Sequence, residues 1–203
     1  MNEKANESSW FPLIVVACAS FIIVLDSFFM NVSISRIVVD LNADVSTIQM
    51  IVSFCTLITA AFILFSTKLQ DIVGKKKLFV IGAALFGIGI FAAVLSSSVT
   101  MFFVGWAAIK GVAAALMLPA IVSIISGIYS GRKRTIALAT LGVMAGLADI
   151  LAPLLGGLIT TFFSWRYTFA FELIFILFIL VMQNKIPDFK PTESKSDLDI
   201  IGA

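Results

Sequence analysis

The sequence predicts an all-α integral membrane protein with six transmembrane helices. Of its 203 residues 60% are hydrophobic and only 13% are charged, whereas about 25% of the residues of an average soluble domain carry a charge. The apolar residues fall into six long runs, and each run approaches the roughly 20 residues that cross a hydrocarbon core of about 30 Å. Six such spans with short loops use most of the chain and leave no room for a separate soluble domain.

Each predicted span is an apolar run that ends at charged or turn-forming residues. The first follows the polar residues 1–9, and the third and fifth each follow a basic cluster. The predicted spans are residues 11–34, 47–66, 78–95, 101–129, 136–163 and 168–183. Charged loops are predicted at 36–46, 67–77 and 130–134. The spans form a predicted transmembrane domain over residues 1–183, and 184–203 are predicted to be a cytoplasmic linker and the start of a seventh span.

Lysine and arginine are distributed unevenly between the two sides of this arrangement. One side collects 11 of the 14 basic residues, while only Arg36 and Arg166 fall on the other and Lys110 lies within a span. Cytoplasmic loops retain positive charge in membrane proteins. We therefore expect a multi-pass protein of the cell membrane with both of its ends in the cytoplasm.

Several classes of function are excluded by composition. A net charge of +2 is too small to suggest a nucleic-acid surface. Histidine is absent, and the two cysteines, Cys18 and Cys55, both lie in apolar runs, so neither a zinc site nor a disulfide framework is predicted. No nucleophile, base and orienting group converge on a loop, and the sequence is therefore not expected to encode an enzyme.

Four ionisable residues fall inside the predicted spans: Asp26, Lys110, Asp149 and Glu172. A charge at the centre of a membrane helix costs roughly 2.5–3.5 kcal/mol on insertion scales, so such residues face a protein interior or a cavity. With a helix rise of 1.5 Å per residue, Asp26, Lys110 and Asp149 lie at about the same depth in the membrane. They are expected either to surround a polar cavity in which a carboxylate exchanges protons, or to form a static pair of Lys110 with Asp149. Glu172 is expected to pair with Arg166 near the interface.

Residues 67–77 read TKLQDIVGKKK, a basic segment with the spacing Asp-x-x-Gly-Lys-Lys. This segment is similar to the loop G-x-L-x-D-R-x-G-R-K of the major facilitator superfamily, and the motifs as a set resemble those of the fourteen-span drug:proton antiporters within it. Asp71, Gly74, Lys75 and Lys76 match that pattern. The resemblance implies a loop that ties helix ends together and helps to gate the conformational change. It also implies that the six spans form an amino-terminal half built from a 3+3 inverted repeat.

Further motifs occur in the order that this family shows. Residues 25–32 read LDSFFMNV and resemble the antiporter signature L-D-x-T-x-V-N-V, which implies that Asp26 is the proton-coupling acid and Asn31 a polar neighbour in the cavity. Span 5 contains Pro153, Gly156 and Gly157 in a run similar to G-P-x-x-G-G, and residues 164–167 resemble the S-W-R-W that opens span 6.

The fourth span departs from the family pattern. Ala107 stands where the family has an arginine and Lys110 stands where it has a glutamine. Lys110 lies three residues later, about 4.5 Å along the helix. It is therefore a candidate for supplying the missing charge from a shifted position.

The resemblance implies proton-coupled efflux of small lipophilic or cationic compounds by alternating access, with the proton gradient as the energy source and no bound cofactor. The expected partners are the lipid bilayer, a small-molecule substrate and a second half of six or eight spans, on the same or a separate chain. Three interpretations remain open. The chain is a module completed by another half, a truncated product without activity, or a scaffold that binds a full-length transporter through its Gly/Ala-rich faces.

Overall fold

A computed structural model describes residues 9–189 and contains six helices long and apolar enough to cross a membrane. Between residues 9 and 189 there is no β-strand, so the predicted all-α fold is confirmed. The helices are α1 (Phe11–Asp40), α2 (Val45–Val73), α3 (Lys75–Val94), α4 (Val99–Ile128), α5 (Gly131–Phe162) and α6 (Arg166–Met182). A short 3₁₀ turn, Gln183–Lys185, follows α6. The predicted start of a seventh span lies outside the described residues.

Most helices extend beyond the apolar runs that predict them. α1 continues six residues past position 34, to Asp40, and α5 begins at Gly131, five residues before the predicted start. Hydropathy marks only the part of a helix that lies in hydrocarbon. The backbone hydrogen bonds of a helix are internal, so its polar ends continue into the interface without a change of structure.

The predicted loop at 67–77 is almost entirely helical, which corrects the sequence-based assignment. Asp71 lies in the last turn of α2, Lys75 and Lys76 open α3, and only Gly74 separates the two helices. Gly74 has a φ of +99°, a conformation that glycine adopts readily because it lacks a Cβ. The motif is thus a one-residue corner between two long helices.

α1 and α4 are the central helices of the bundle. In each of them 61% of the most apolar stretch is buried inside the protein, against 17% in α2 and in α5. α1 packs mainly on α5 and α6, while α4 packs mainly on α2 and α3. If α1, α2 and α3 are matched with α4, α5 and α6 in that order, the contacts of α1 with α5 and α6 correspond to the contacts of α4 with α2 and α3. This is the packing that a 3+3 repeat produces.

α3 and α4 approach so closely that their backbones touch. A Cβ added to Gly89 would lie 2.7 Å from the carbonyl oxygen of Gly105, and a Cβ on Gly105 would lie 2.9 Å from that of Gly89. Small residues permit such contacts in membranes, where apolar burial alone does not drive helix association. Gly89 also lies against the backbone of Lys110, so this crossing fixes the position of that residue.

The two ends of the bundle carry different polar contacts. We call the end of the bundle where the described residues begin and finish, at Ser9 and Phe189, the terminal end, and the opposite end the far end. At the terminal end, the Lys76 ammonium pairs with Asp188 at 3.1 Å. At the far end, the Arg166 guanidinium donates from Nη1 to Asp40 at 2.5 Å and from Nη2 to the Ser96 carbonyl oxygen at 2.6 Å. Trp165 Nε1 donates to the same Asp40 carboxylate at 3.2 Å. Arg166 therefore joins α1, α6 and the turn after α3.

We expect Arg166→Lys to lower the free energy of unfolding by about 1 kcal/mol, because a lysine keeps the charge but cannot hold two acceptors in a fixed fork. The effect is small since Arg166 and Asp40 are partly exposed and solvent screens their attraction. Denaturant titration in detergent micelles measures it. Arg36→Lys, at an exposed position on the same end, is the matched control and is expected to stay within about 0.5 kcal/mol. Equal losses for the two variants would contradict the bridging role.

Candidate functional site

A buried ion pair joins the two central helices. The Lys110 ammonium on α4 lies 2.5 Å from Oδ2 of Asp26 on α1, and the two residues are only 4% and 1% exposed. Taking two charges out of water is costly, and mutual attraction offsets that cost only with good geometry and further hydrogen bonds. The sequence placed both residues at one depth, and the structure brings them into contact.

Trp106 supplies the further hydrogen bond. Its indole Nε1 donates to Asp26 Oδ1 at 2.9 Å, so each oxygen of the carboxylate has a donor. The Lys110 ammonium lies 3.8 Å from the centre of the Trp106 ring and 5.9 Å from that of Phe86. Aromatic faces attract a cation electrostatically, and more strongly when water is excluded. The ammonium is thus held by one carboxylate and two ring faces.

The helix that carries Lys110 is not a regular α-helix. Residues Phe103–Ile109 form a π-helical segment that ends immediately before Lys110. Such segments are rare and frequently occur at functional sites. Ala107 is fully buried within this segment. The cation in this part of the bundle is therefore provided by Lys110, and Ala107 contributes only a small packed side chain.

The ion pair lines a pocket of about 460 Å³ between α1, α2 and α4, and Phe86 of α3 also lies on its wall. Asn31 and Thr56 contribute further polar side chains to its wall, beside apolar residues from all three helices. Thr59 also lines it, but its hydroxyl lies 2.9 Å from the Cys55 carbonyl oxygen and 3.0 Å from that of Gly111. The pocket is therefore mostly apolar with one charged group pair, which is the usual composition of a small-molecule site.

Asp149 does not join the ion pair, contrary to the expectation that it partners Lys110. α5 packs against α1 through the face that holds Ala148, Ala152 and Gly156, all of which are buried. Asp149 is one residue past Ala148 and hence about 100° further round the helix. It is exposed, and no described side chain forms an ion pair with it.

Glu172 is not an interfacial partner of Arg166, so that prediction is wrong. Arg166 is occupied by Asp40 and Ser96. Glu172 is 0% exposed, and neither carboxylate oxygen has a hydrogen-bond partner among the described residues. It belongs to the buried face of α6, with Phe169 and Ile176 one turn away on either side.

The residues of the span 5 motif have separate structural roles. α5 runs through Pro153 without a break. A Cβ on Gly156 would lie 3.1 Å from the ring of Phe29, so this glycine lets α5 approach α1 closely. Nothing lies within 4 Å of the corresponding position on Gly157. The close contact between α1 and α5 therefore requires Gly156, whereas Gly157 has space around it.

Sequence reasoning missed Trp106 as a member of the site. The signal was present, because Trp106 lies about one turn before Lys110 in the same span and is 2% exposed. An indole N–H buried at that depth needs an acceptor. The nearest acidic residue of matching depth is Asp26, which indeed accepts its hydrogen bond.

Comparison with known proteins places this arrangement in a family. Residues 16–196 match the family model described as Major Facilitator Superfamily. The chain belongs to the major facilitator superfamily. This agrees with the motifs in spans 1, 2 and 5, and it makes the chain a transporter-family protein, not an enzyme.

Other members of the superfamily match along nearly the whole chain. The riboflavin transporter RibZ of Clostridioides difficile (strain 630) is 25% identical over 197 residues, which cover 97% of this chain and 43% of that protein. The lincomycin resistance protein of Streptomyces lincolnensis is 25% identical over 203 residues, covering 98% of this chain and 41% of its own. The chain therefore spans less than half the length of these relatives.

Solved transporter structures show the same fold. A POT family transporter in complex with 5-aminolevulinic acid superposes with a TM-score of 0.79 at 18% identity, over 94% of this chain and 42% of that one. The six helices of this chain thus have the arrangement of six helices in a major facilitator transporter.

Proposed function

We propose that the chain forms one six-helix half of a proton-coupled transporter of the antiporter type, which exports small lipophilic or cationic compounds by alternating access. The observation that carries this proposal is the Asp26–Lys110 ion pair on the wall of a largely apolar pocket. A charge pair so deep in a membrane is costly, and intramembrane ionisable residues commonly mark ion or proton pathways. Similarity to the lincomycin resistance protein supports efflux as the direction of transport.

Proton binding at Asp26 is the proposed coupling step. A proton on the carboxylate removes the charge that holds Lys110, and separating a buried pair costs on the order of 3–5 kcal/mol. One proton that moves through 100 mV supplies about 2.3 kcal/mol, which is of the same order. Proton uptake therefore offsets a large part of the cost of moving Lys110, and with it of changing the contact between α1 and α4.

A second half is the proposed partner. Superfamily transporters bind their substrate between two halves near the middle of the membrane. This chain would supply the wall that holds Asp26, Asn31 and Lys110, and the other half, on the same or another chain, would supply the opposite wall. We place the terminal end in the cytoplasm and the protein in the cell membrane, because the basic residues at the starts of α3 and α5 lie at that end.

The size of the native product determines which protein to assay. An amino-terminal tag inserted at the gene, followed by a denaturing gel of the membrane fraction, measures it. A band near 21.9 kDa means that a second chain must be sought by cross-linking. A much larger band means that the opposite wall lies in the same polypeptide.

We expect Asp26→Asn to abolish proton-driven export from everted vesicles that contain the native protein, and Asp26→Glu to retain part of it. Asparagine keeps the volume and accepts the Trp106 hydrogen bond but cannot exchange a proton, whereas glutamate keeps the acid. Export is followed with a fluorescent lipophilic cation after a pH gradient is imposed. Undiminished export by Asp26→Asn would refute coupling at this residue. A protein that moves nothing, and that loses its partner on Gly157→Val while staying folded, would be the scaffold, because no atom lies within 4 Å of a Cβ added to Gly157.

A further inference from the structure

We propose that Glu172 is a second proton-binding site, and that Asp26, Lys110 and Glu172 form a cluster in which one proton is held by either carboxyl group. This inference rests on the proposed function, because it assumes that Asp26 takes up a proton during transport. It assigns a role to the one described carboxyl group that is fully buried yet has no partner.

Burial determines the state of Glu172 in this conformation. An ionised carboxylate without a hydrogen bond or counter-ion is among the most costly groups to bury. A neutral carboxylic acid with unmet hydrogen bonds is far less costly to bury. Within residues 9–189, neither oxygen of Glu172 has a hydrogen-bond partner. The structure is therefore compatible with a Glu172 that carries its proton.

Glu172 lies close enough to the ion pair for the charges to affect one another. Asp26 and Lys110 both act electrostatically on its carboxyl group. A series of ring contacts also connects the two places, because Phe102 stacks on Trp106 and packs edge-on against Phe169, one turn before Glu172. The other helices around α6 add no further charge at this depth. The titratable residues of α3 lie at its terminal end, and Asp149 of α5 is exposed.

Charge balance links the two carboxyl groups. In the structure the charges of Asp26 and Lys110 cancel, and neutral Glu172 leaves the cluster with no net charge. When Asp26 binds a proton, Lys110 loses its counter-ion and the repulsion between Asp26 and an ionised Glu172 disappears. The cluster returns to zero net charge if Glu172 releases its proton, so one proton enters at Asp26 as one leaves Glu172.

The two carboxyl groups also lie at different depths in the bundle. Asp26 lines the pocket near the middle of α1, whereas Glu172 follows the start of α6 by six residues, about 9 Å from the far end. A proton held by Glu172 is therefore nearer to the far end than a proton held by Asp26. The cluster provides two connected proton positions in place of one.

Infrared difference spectroscopy of the purified chain in micelles tests this assignment. The parent protein at neutral pH is expected to show the C=O stretch of a buried, protonated carboxylic acid, and Glu172→Gln, which preserves volume, is expected to remove it. Circular dichroism and gel filtration establish that the variant is folded. A spectrum unchanged by Glu172→Gln would show that Glu172 carries no proton and would overturn the proposal.

Two further variants test the link between the carboxyl groups. Asp26→Asn imitates a protonated Asp26, so it is expected to remove the Glu172 band as that residue ionises to balance Lys110. Asp26→Asn combined with Lys110→Met removes both charges of the pair, and the band is expected to return. A band that persists in Asp26→Asn would overturn the exchange. These spectra require no transport, so their outcome is separate from that of the export assay with Asp26→Asn.

Discussion

Lys110→Met is expected to lower the free energy of unfolding by about 3–5 kcal/mol, because it leaves the Asp26 carboxylate buried without its counter-ion. Methionine matches the lysine stem in length and flexibility, so the loss reports on the charge and not on a cavity. The measurement is a denaturant titration in mixed micelles, followed by the helical signal in circular dichroism.

The matched control is the double variant Asp26→Asn with Lys110→Met. Both charges are then absent, and the amide oxygen of the new asparagine side chain would still accept the hydrogen bond from Trp106. Replacing a complete buried pair by neutral groups is often close to neutral in stability. We expect the double variant to lie within about 1 kcal/mol of the parent. If the costs of the two single changes simply added, the pair observed between α1 and α4 would not contribute as a pair.

Gly105→Ala is expected to lower the stability by roughly 2–3 kcal/mol, although alanine is normally the better helix former. The new Cβ would lie 2.9 Å from the Ala93 nitrogen, the Gly89 carbonyl oxygen and the Ala92 Cβ. Two of these three atoms belong to a helix backbone and cannot rotate away, so α3 and α4 must separate. Gly89 lies against Lys110, and the separation therefore also disturbs the ion pair.

Gly142→Ala on α5 is the control for this variant. No atom lies within 4 Å of its added Cβ, and a glycine in a helix interior costs roughly 0.5–1 kcal/mol relative to alanine. We expect the same substitution to stabilise the protein there by up to that amount. Unfolding titrations of the two variants in one detergent compare them directly. A loss at Gly142 as large as that at Gly105 would mean that the close contact between α3 and α4 is not the cause.

The fold was largely predictable because hydrocarbon imposes a single rule. Every backbone polar group must be satisfied internally, so long apolar runs become helices. The same rule does not determine where a helix ends in the interface, which is why α1 reaches Asp40 and the segment around Gly74 is a corner and not a loop. Depth along each span also followed from the sequence, and it placed Asp26 and Lys110 at one level.

The rotation of each helix about its axis could not be predicted in the same way. Whether Asp149 faces Lys110 depends on which side of α5 packs on α1, and the small residues Ala148 and Gly156 decide that through close contacts. The partner of Arg166 likewise depended on the unforeseen length of α1, which brings Asp40 to the far end. Six positions along α6 correspond to about 600° of rotation, so Glu172 and Arg166 lie on different faces of that helix despite their closeness in sequence.

Because of its π-helical segment, α4 is expected to tolerate the deletion of one residue in that segment better than in the rest of the helix. Losing one residue from an α-helix rotates everything beyond it by about 100° and carries whole faces out of register. A π-helical turn holds one residue more than an α-helical turn. Deleting a single residue within Phe103–Ile109 can close the wide turn while Phe102 and Lys110 keep their present faces. In this part of α4 a one-residue gap relative to other chains is thus compatible with an unchanged orientation of Lys110, whereas the same gap between Lys110 and Ile128 rotates the rest of the helix away from its present contacts.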